Sequence, residues 1–389
     1  MKRYLFVVPP LAGHVNPTVP VARALATRGH RVAWAAHSRH VRPLLASDAE
    51  LLPLHDLPTG EAAERFLERA RDLRGLESLQ FLWEEMLLPL ARDMLPSLLR
   101  AITDFAPDVL VVDHQAIAGA LAARRIGVTW ASFCTTSASV VDSLAVFPKV
   151  KHWLASQIAR METALELEPV PSPVTSPHLV VVFSTEALVG AQQGAQQRWP
   201  AHFRFVGPSI QDRPDSTPFP WEALAARPRV FVSLGTVSAD AGARFYATTV
   251  QALGNLDVQV ILAAQPSLVP DAPPSFIVRD RVPQLALLPH VHAVVCHAGH
   301  NTVCESLANG LPLVVAPIRD DQPIVAQQIV QAGAGIRVRY GHLSPRSLGD
   351  AVVRALREPE LRRAAGRIRD SFRAAGGASS AADALEAIA

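Results

Sequence analysis

The feature that most limits what this chain can fold into is a repeated alternation. Short apolar runs of strand length are followed, again and again, by segments whose apolar residues recur at helical spacing. The strand-like runs in the first half are residues 4–8, 31–35, 109–112, 129–132, 179–182 and 204–206. After Gly207-Pro208 the texture changes to a polar stretch through Pro214, Pro218 and Pro220, which reads as an interdomain linker. A second series then begins, with runs at 230–233, 258–262, 292–295 and 313–315. Apolar strands alternating with helices specify parallel sheets covered by helical crossovers. The predicted fold is therefore α/β, with two Rossmann-like domains facing across a cleft. Their expected bounds are 1–207 and 229–389, joined by a linker at 208–228, with the last helix a candidate to cross back to the first domain. Ligands of such sheets bind beyond the carboxyl ends of the strands.

Composition removes several function classes. The 37 basic and 35 acidic side chains leave a net charge of +2, too little for the basic face a nucleic-acid binder needs. With 49% apolar and 19% charged residues, the chain has the apolar content that disordered segments lack. Three cysteines, Cys134, Cys296 and Cys304, build no disulfide framework, so a reducing, cytoplasmic setting is expected. Lysine is confined to Lys2, Lys149 and Lys151, which with abundant Ala and Pro hints at GC-rich bacterial coding. No stretch reads as a membrane span. Lys2-Arg3 and the apolar run after them are like the start of a signal peptide, but Pro9 and Pro10 stop the run too early, and a buried first strand fits better. A monomer or a homodimer is expected.

The first strand runs into Pro9-Pro10-Leu11-Ala12-Gly13-His14-Val15-Asn16-Pro17. Asn16 and Pro17 fit the N-cap and first residue of a helix reaching Arg28. His14 then lies between a strand's carboxyl end and a helix, where α/β proteins carry reactive groups. Taken alone, a loop histidine is more often a structural hydrogen bonder. The dinucleotide fingerprint G-x-G-x-x-G is missing from this turn, which weighs against a dehydrogenase. Asp113 follows the run 109–112 and is expected at the same sheet edge. A carboxylate there would hold a histidine's tautomer and stabilise its protonated form. Position alone is equally compatible with Asp113 capping the next helix.

A second focus spans residues 282–323, centred on His297-Ala298-Gly299-His300-Asn301-Thr302-Val303-Cys304-Glu305. A strand leading through small residues into a helix presents backbone N–H groups and the positive helix end to a ligand, which suits a pyrophosphate. His297 adds a side-chain donor, and Glu305, one turn after Asn301, is placed for ribose hydroxyls. Thr302-x-x-Glu305 is also a capping-box pattern, which would commit Glu305 to the backbone. Crowding of His290, His292, Cys296, His297, His300 and Cys304 raises a metal reading. Their spacing fits no paired zinc framework, and strand alternation points neighbours to opposite faces, so no metal is expected. Two regions, 61–105 and 134–177, are longer than a crossover needs. Their apolar residues, among them Phe66, Phe81, Trp83, Met86 and Phe147, with Phe133 just before the second region, read either as extra core or as walls of an apolar substrate pocket.

Gly13-His14-Val15-Asn16-Pro17, Phe205-Val206-Gly207-Pro208, Val232-Ser233-Leu234-Gly235-Thr236 and the whole 282–323 segment together resemble the family 1 nucleotide-sugar glycosyltransferases of the GT-B fold, in their bacterial macrolide and natural-product branch. The resemblance extends over most of the chain and is most specific in 282–323. It implies that His14 is the base that deprotonates an acceptor and Asp113 its partner. It puts Ser233, Thr236, His297, Gly299, Asn301 and Thr302 at the donor diphosphate, Glu305 at the ribose, and Arg281, Val282 and Gln284 beside the nucleobase. Asp321 and Gln322 fall on the sugar-binding pair, since Pro317-x-x-x-Asp321-Gln322 keeps the family spacing. Phe81, Trp83, Met86, Phe133 and Phe147 would line the acceptor pocket. Many relatives carry an aromatic residue before Val-Pro-Gln to stack on the base. This chain has Arg281, whose guanidinium also stacks on flat rings. Arg319 and Asp320, beside the sugar pair, are placed to alter sugar recognition.

The implied reaction is inverting transfer of a hexose from a UDP- or dTDP-sugar to a hydroxyl of a small hydrophobic, natural-product-like acceptor. The nucleotide sugar is a co-substrate, and no cofactor is implied. No D-x-D pair occurs, so the metal-clamping signature of other glycosyltransferases is absent. A GT-B-fold nucleotide-sugar epimerase or hydrolase would share the diphosphate site, and a non-catalytic helper protein would share the fold. The presence of His14, Asp113, His297, Glu305, Asp321 and Gln322 favours catalysis.

Overall fold

A computed structural model describes residues 1–55, 69, 73, 75–142, 144, 147–190, 199–210, 217–235 and 242–389. Thr236, Phe66 and residues 211–216 of the polar stretch lie outside the described residues. The chain divides into two compact units: Met1–Ser184, Ala191–Ile210 and Ala375–Ala389 form the first, and Thr185–Gly190 with Gln211–Ala374 the second.

Among the described residues the first unit holds seven strands: β1 (Arg3–Val7), β2 (Arg31–Ala36), β3 (Glu50–Pro53), β4 (Val109–Asp113), β5 (Trp130–Cys134), β6 (Leu179–Val182) and β7 (Phe203–Phe205). They form one parallel sheet in the order β3-β2-β1-β4-β5-β6-β7. Helices cover both faces, which is why its central strands carry apolar residues facing both sides of the sheet rather than one. On one face Leu5, Val7, Leu110 and Val112 pack against Met94, Leu98 and Ile102 of the helix Leu88–Phe105. On the other, Tyr4, Phe6, Val109 and Val111 share a core with Val21 and Leu25 of the helix Thr18–Thr27. Ala378, Ala381, Ala382 and Leu385 of the helix Gly377–Glu386 join that second core. Arg28 pairs with Asp383 at 2.7 Å and Glu386 at 2.5 Å, and His30 Nε2 lies 2.7 Å from Glu386, fixing the helix in place.

The second unit holds β8 (Arg229–Ser233), β9 (Gln259–Ala263), β10 (Phe276–Arg279), β11 (Ala293–Cys296), β12 (Leu313–Val315) and β13 (Gly335–Arg337). These too are all parallel, in the order β10-β9-β8-β11-β12-β13. In each sheet the direction of winding reverses once, between β1 and β4 in the first and between β8 and β11 in the second. Loops diverge at such a reversal and leave a crevice at the strands' carboxyl ends. Among the described residues no helix is long and apolar enough to cross a membrane.

Candidate active site

His14 is positioned by an extra coil of chain. After β1, the Leu11 carbonyl accepts the N–H groups of both His14 and Val15, so residues Ala12–Val15 make one helical turn. Asn16 closes that turn and the next helix starts after Pro17, so Asn16 is not the N-cap expected from the sequence. Val112 of β4 lies in register with Val7 of β1, which brings Asp113 out beside this turn. His14 Nδ1 sits 2.9 and 3.0 Å from the two carboxylate oxygens of Asp113. Asp113 does not cap the following helix, whose N-cap is Ala116.

The carboxylate is held on its other sides as well. Oδ1 accepts the Gln115 N–H at 2.9 Å, and Oδ2 accepts the Thr135 hydroxyl at 2.8 Å. Thr135 follows the end of β5 and also lies 2.9 Å from His14 Nδ1; sequence reasoning missed it. A second imidazole, His114, stands with its Nδ1 3.7 Å from Asp113 Oδ1 and its ring centre 5.2 Å from that of His14. Burial of the Asp113 side chain, which is 0% exposed, favours its neutral form. The charges of His14 and His114, with hydrogen bonds from His14 and the Gln115 N–H, more than offset burial and hold the carboxyl below the usual range. An anionic Asp113 fixes the His14 proton on Nδ1, so the basic lone pair is on Nε2.

At the second reversal, Ser233 at the end of β8 is in register with Cys296 at the end of β11, and His297 follows directly. Its imidazole fills the space between two glycines. A Cβ on Gly235 would stand 2.6 Å from its Cε1, and one on Gly299 would stand 2.4 Å from its Nε2. Between His297 and Gly299, Ala298 adopts a left-handed φ of 68°, a conformation costing roughly 1–2 kcal/mol for a residue with a Cβ. Burial pushes the His297 pKa down to about 4, with smaller influences from Asp321, the Ser233 backbone and Arg319. It is therefore a neutral imidazole near pH 7. Its Nδ1 is buried without a hydrogen-bond partner of normal geometry among the described residues.

The helix His300–Ala308 starts at an N-cap, Gly299, that offers no side chain, which leaves its first turn to be capped by something else. Asn301 and Thr302 lie in that turn. Because Gly299 is the N-cap, Thr302 and Glu305 are out of phase for a capping box. Glu305 is buried and instead accepts a 2.5 Å hydrogen bond from Gln284 Nε2, joining two residues expected at the nucleoside. Arg281 is exposed, Val282 half-buried, and both precede the short helix Gln284–Leu287. Asp321 precedes the helix Gln322–Gln331. The Gln322 side-chain oxygen braces its own loop by accepting the N–H groups of Ile318 and Arg319 at 2.8 and 3.2 Å.

Residues 247–388 match the family described as Erythromycin biosynthesis protein CIII-like, C-terminal domain. The whole chain is 30% identical to 4'-demethylrebeccamycin synthase of Lentzea aerocolonigenes, over 99% of each chain. The chain belongs to the GT-B natural-product glycosyltransferases. It is also 28% identical to demethyllactenocin mycarosyltransferase of Streptomyces fradiae, over 100% of this chain and 87% of that one. Among solved structures, the glycosyltransferase of kitacinnamycin superposes with a TM-score of 0.79 at 27% identity, covering 100% of this chain and 98% of that one.

In this glycosyltransferase the five residues expected to line the acceptor pocket have different surroundings. Phe133 is a correction: strand alternation turns it, with Ala131, into the second core, edge-on to Phe6 and Phe183 at 5.8 and 5.0 Å, where it is fully buried. Trp83 and Met86 lie in a π-helical stretch, Leu82–Leu87, a distortion that recurs at functional sites. Phe81 is half-buried beneath the Arg69 guanidinium, and Phe147 is exposed. A cavity of about 660 Å³ bordered by Trp130, His178 and Phe203 opens at the amino-terminal ends of β5, β6 and β7, the edge opposite His14. Thr236 is outside the described residues. Among the described residues, the group that could hold a metal ion is not the histidine and cysteine cluster around β11 but His14, Asp113 and His114.

Proposed function

We propose that this glycosyltransferase moves a hexose from a UDP- or dTDP-sugar to a hydroxyl of a small hydrophobic acceptor with inversion of configuration. The observation that carries the reading is the buried Asp113 carboxylate on His14 Nδ1. As the acceptor oxygen attacks the anomeric carbon, its proton passes to His14 Nε2. The imidazolium so formed is stabilised by Asp113, and the nucleoside diphosphate leaves from the opposite side of the sugar. One in-line displacement converts an α-linked donor into a β-linked product. The diphosphate is met by Ser233, Gly299, Asn301, Thr302 and His297, where a helix start favours negative charge, so the reaction needs no metal ion. The Glu305–Gln284 pair takes the ribose, Arg281 and Val282 flank the base, and Asp321 with Gln322 holds the sugar. The π-helical stretch with Trp83 and Met86 supports an apolar acceptor. The reading places the enzyme in the cytoplasm as a monomer or homodimer.

His14→Ala should lower turnover on an alcohol acceptor by about 100- to 10,000-fold. Affinity for UDP or dTDP, measured by calorimetry, should stay nearly unchanged. A phenol, which loses its proton more easily, should depend less on His14. Near-wild-type turnover of the variant on an alcohol would remove His14 from the role of base, and an α-linked product would remove inversion.

A further inference from the structure

We propose that His14, Asp113 and His114 form a binding site for a divalent transition-metal ion, with zinc the best match, and that filling it switches transfer off. The three ligand atoms lie within 4.8 Å of one another. Zinc bonded at about 2.0–2.1 Å in tetrahedral geometry separates its ligand atoms by about 3.3–3.4 Å. The His14–Asp113 edge of 2.9 Å and the His114–Asp113 edge of 3.7 Å bracket that separation. Two imidazole nitrogens and one carboxylate oxygen suit zinc and leave a fourth position for water.

Charge argues the same way. Asp113 is fully buried and anionic, and among the described residues its ion-pair partners are these two histidines. A bound divalent ion would compensate the buried carboxylate directly. The hydrogen bonds from the Gln115 N–H and the Thr135 hydroxyl would stay and hold the ligating carboxylate in position. Both histidine side chains keep some solvent exposure, 15% for His14 and 17% for His114, which gives an ion a way in.

The inhibitory consequence rests on His14 being the base; the binding does not. A metal on Nδ1 forces the single proton of a neutral imidazole onto Nε2. That is the atom that would receive the acceptor's proton, so a metal-bound His14 has no lone pair to offer. His114 supplies the third ligand, without which two ligands remain.

The test starts from protein stripped with a chelator and titrated with ZnCl2, followed by calorimetry and by transfer rate. Co²⁺ gives an optical readout of tetrahedral binding that is independent of activity. Wild type should bind Zn²⁺ and lose transfer, with recovery on chelation, while Mg²⁺, which prefers oxygen ligands, has no such effect. His114→Ala should weaken both binding and inhibition on the order of tenfold or more, each rate taken relative to that variant's own metal-free rate. Equal Zn²⁺ affinity in wild type and His114→Ala overturns the site. His114-dependent binding that leaves transfer untouched overturns the switch and counts against His14 as the base.

Discussion

Replacing Gly299 with alanine puts a methyl group where the His297 imidazole now lies. The new Cβ would stand 2.4 Å from Nε2 and 2.7 Å from Cε1, against roughly 3.5–4 Å for comfortable contact, so something must shift by about an ångström. The backbone does not resist the change, because Gly299 has φ −62° and ψ 131°, which any residue adopts. Gly235, just after β8, also borders the ring, with 2.6 Å between a notional Cβ and Cε1. The imidazole must therefore leave its place, and under the proposed function it would lose its contact with a bound diphosphate. A hydrogen bond to a charged group contributes about 1.5–3 kcal/mol. That predicts UDP or dTDP binding roughly 10- to 150-fold weaker by calorimetry, with a little-changed melting temperature. A double-mutant cycle isolates the cause. Once His297→Ala has removed the ring, Gly299→Ala should cost less than about 0.5 kcal/mol more. Full additivity, or unchanged affinity in the single variant, would refute the claim that the glycine exists to make room for the imidazole.

Protonation of His297 opposes folding, because its pKa in the folded chain is about 4 against an ordinary 6.5. Stability from the neutral imidazole is complete above about pH 6.5 and is lost as pH falls toward 4, by roughly 3 kcal/mol in all. Urea unfolding across that range should show a flatter profile for His297→Asn, and parallel profiles would contradict the assignment. Glu305→Ala removes the acceptor of the Gln284 hydrogen bond and should weaken nucleotide binding by about tenfold. A lowered melting temperature with unchanged affinity would make Glu305 purely structural. Thr135→Val deletes the hydroxyl on Asp113 Oδ2 and should lower kcat by about tenfold while leaving nucleotide affinity alone. An unchanged kcat and pH profile would show that the hydroxyl does not help to position the carboxylate.

Legibility followed burial. Every central strand was readable as an apolar run, whereas β3, β10 and β13 escaped, and all three are sheet edges. An edge strand is covered less completely and stays short, so Glu50–Pro53 and Gly335–Arg337 carry no continuous apolar signal. Both groups of candidate residues come from one rule, that chemistry collects after a strand's carboxyl end. The same rule applied to β5 would have found Thr135, but the small polar residues after Cys134 were absorbed into a long irregular region. Asn16 was misplaced because a single extra helical turn leaves no periodicity to read. Phe133 was misjudged because an aromatic residue looks the same in a pocket wall and in a core, and only strand alternation tells them apart.

The helix Gly377–Glu386 gives the chain an unusual order of assembly. Synthesis runs from the amino end, so the sheet of the first unit emerges with Tyr4, Phe6, Val21 and Leu25 before the helix that shares their core exists. The whole of the second unit up to Ala374 is made in the interval. The first unit thus cannot mature simply in the order it leaves the ribosome. Its apolar face stays open for most of translation, a span in which sticky surface invites chaperones or misassembly. A message cut short before Gly377 would yield a second unit with all its strands and a first unit with a bare stripe. In such a product the exposed apolar stripe would lie in the amino-terminal half, though the lesion lies at the other end.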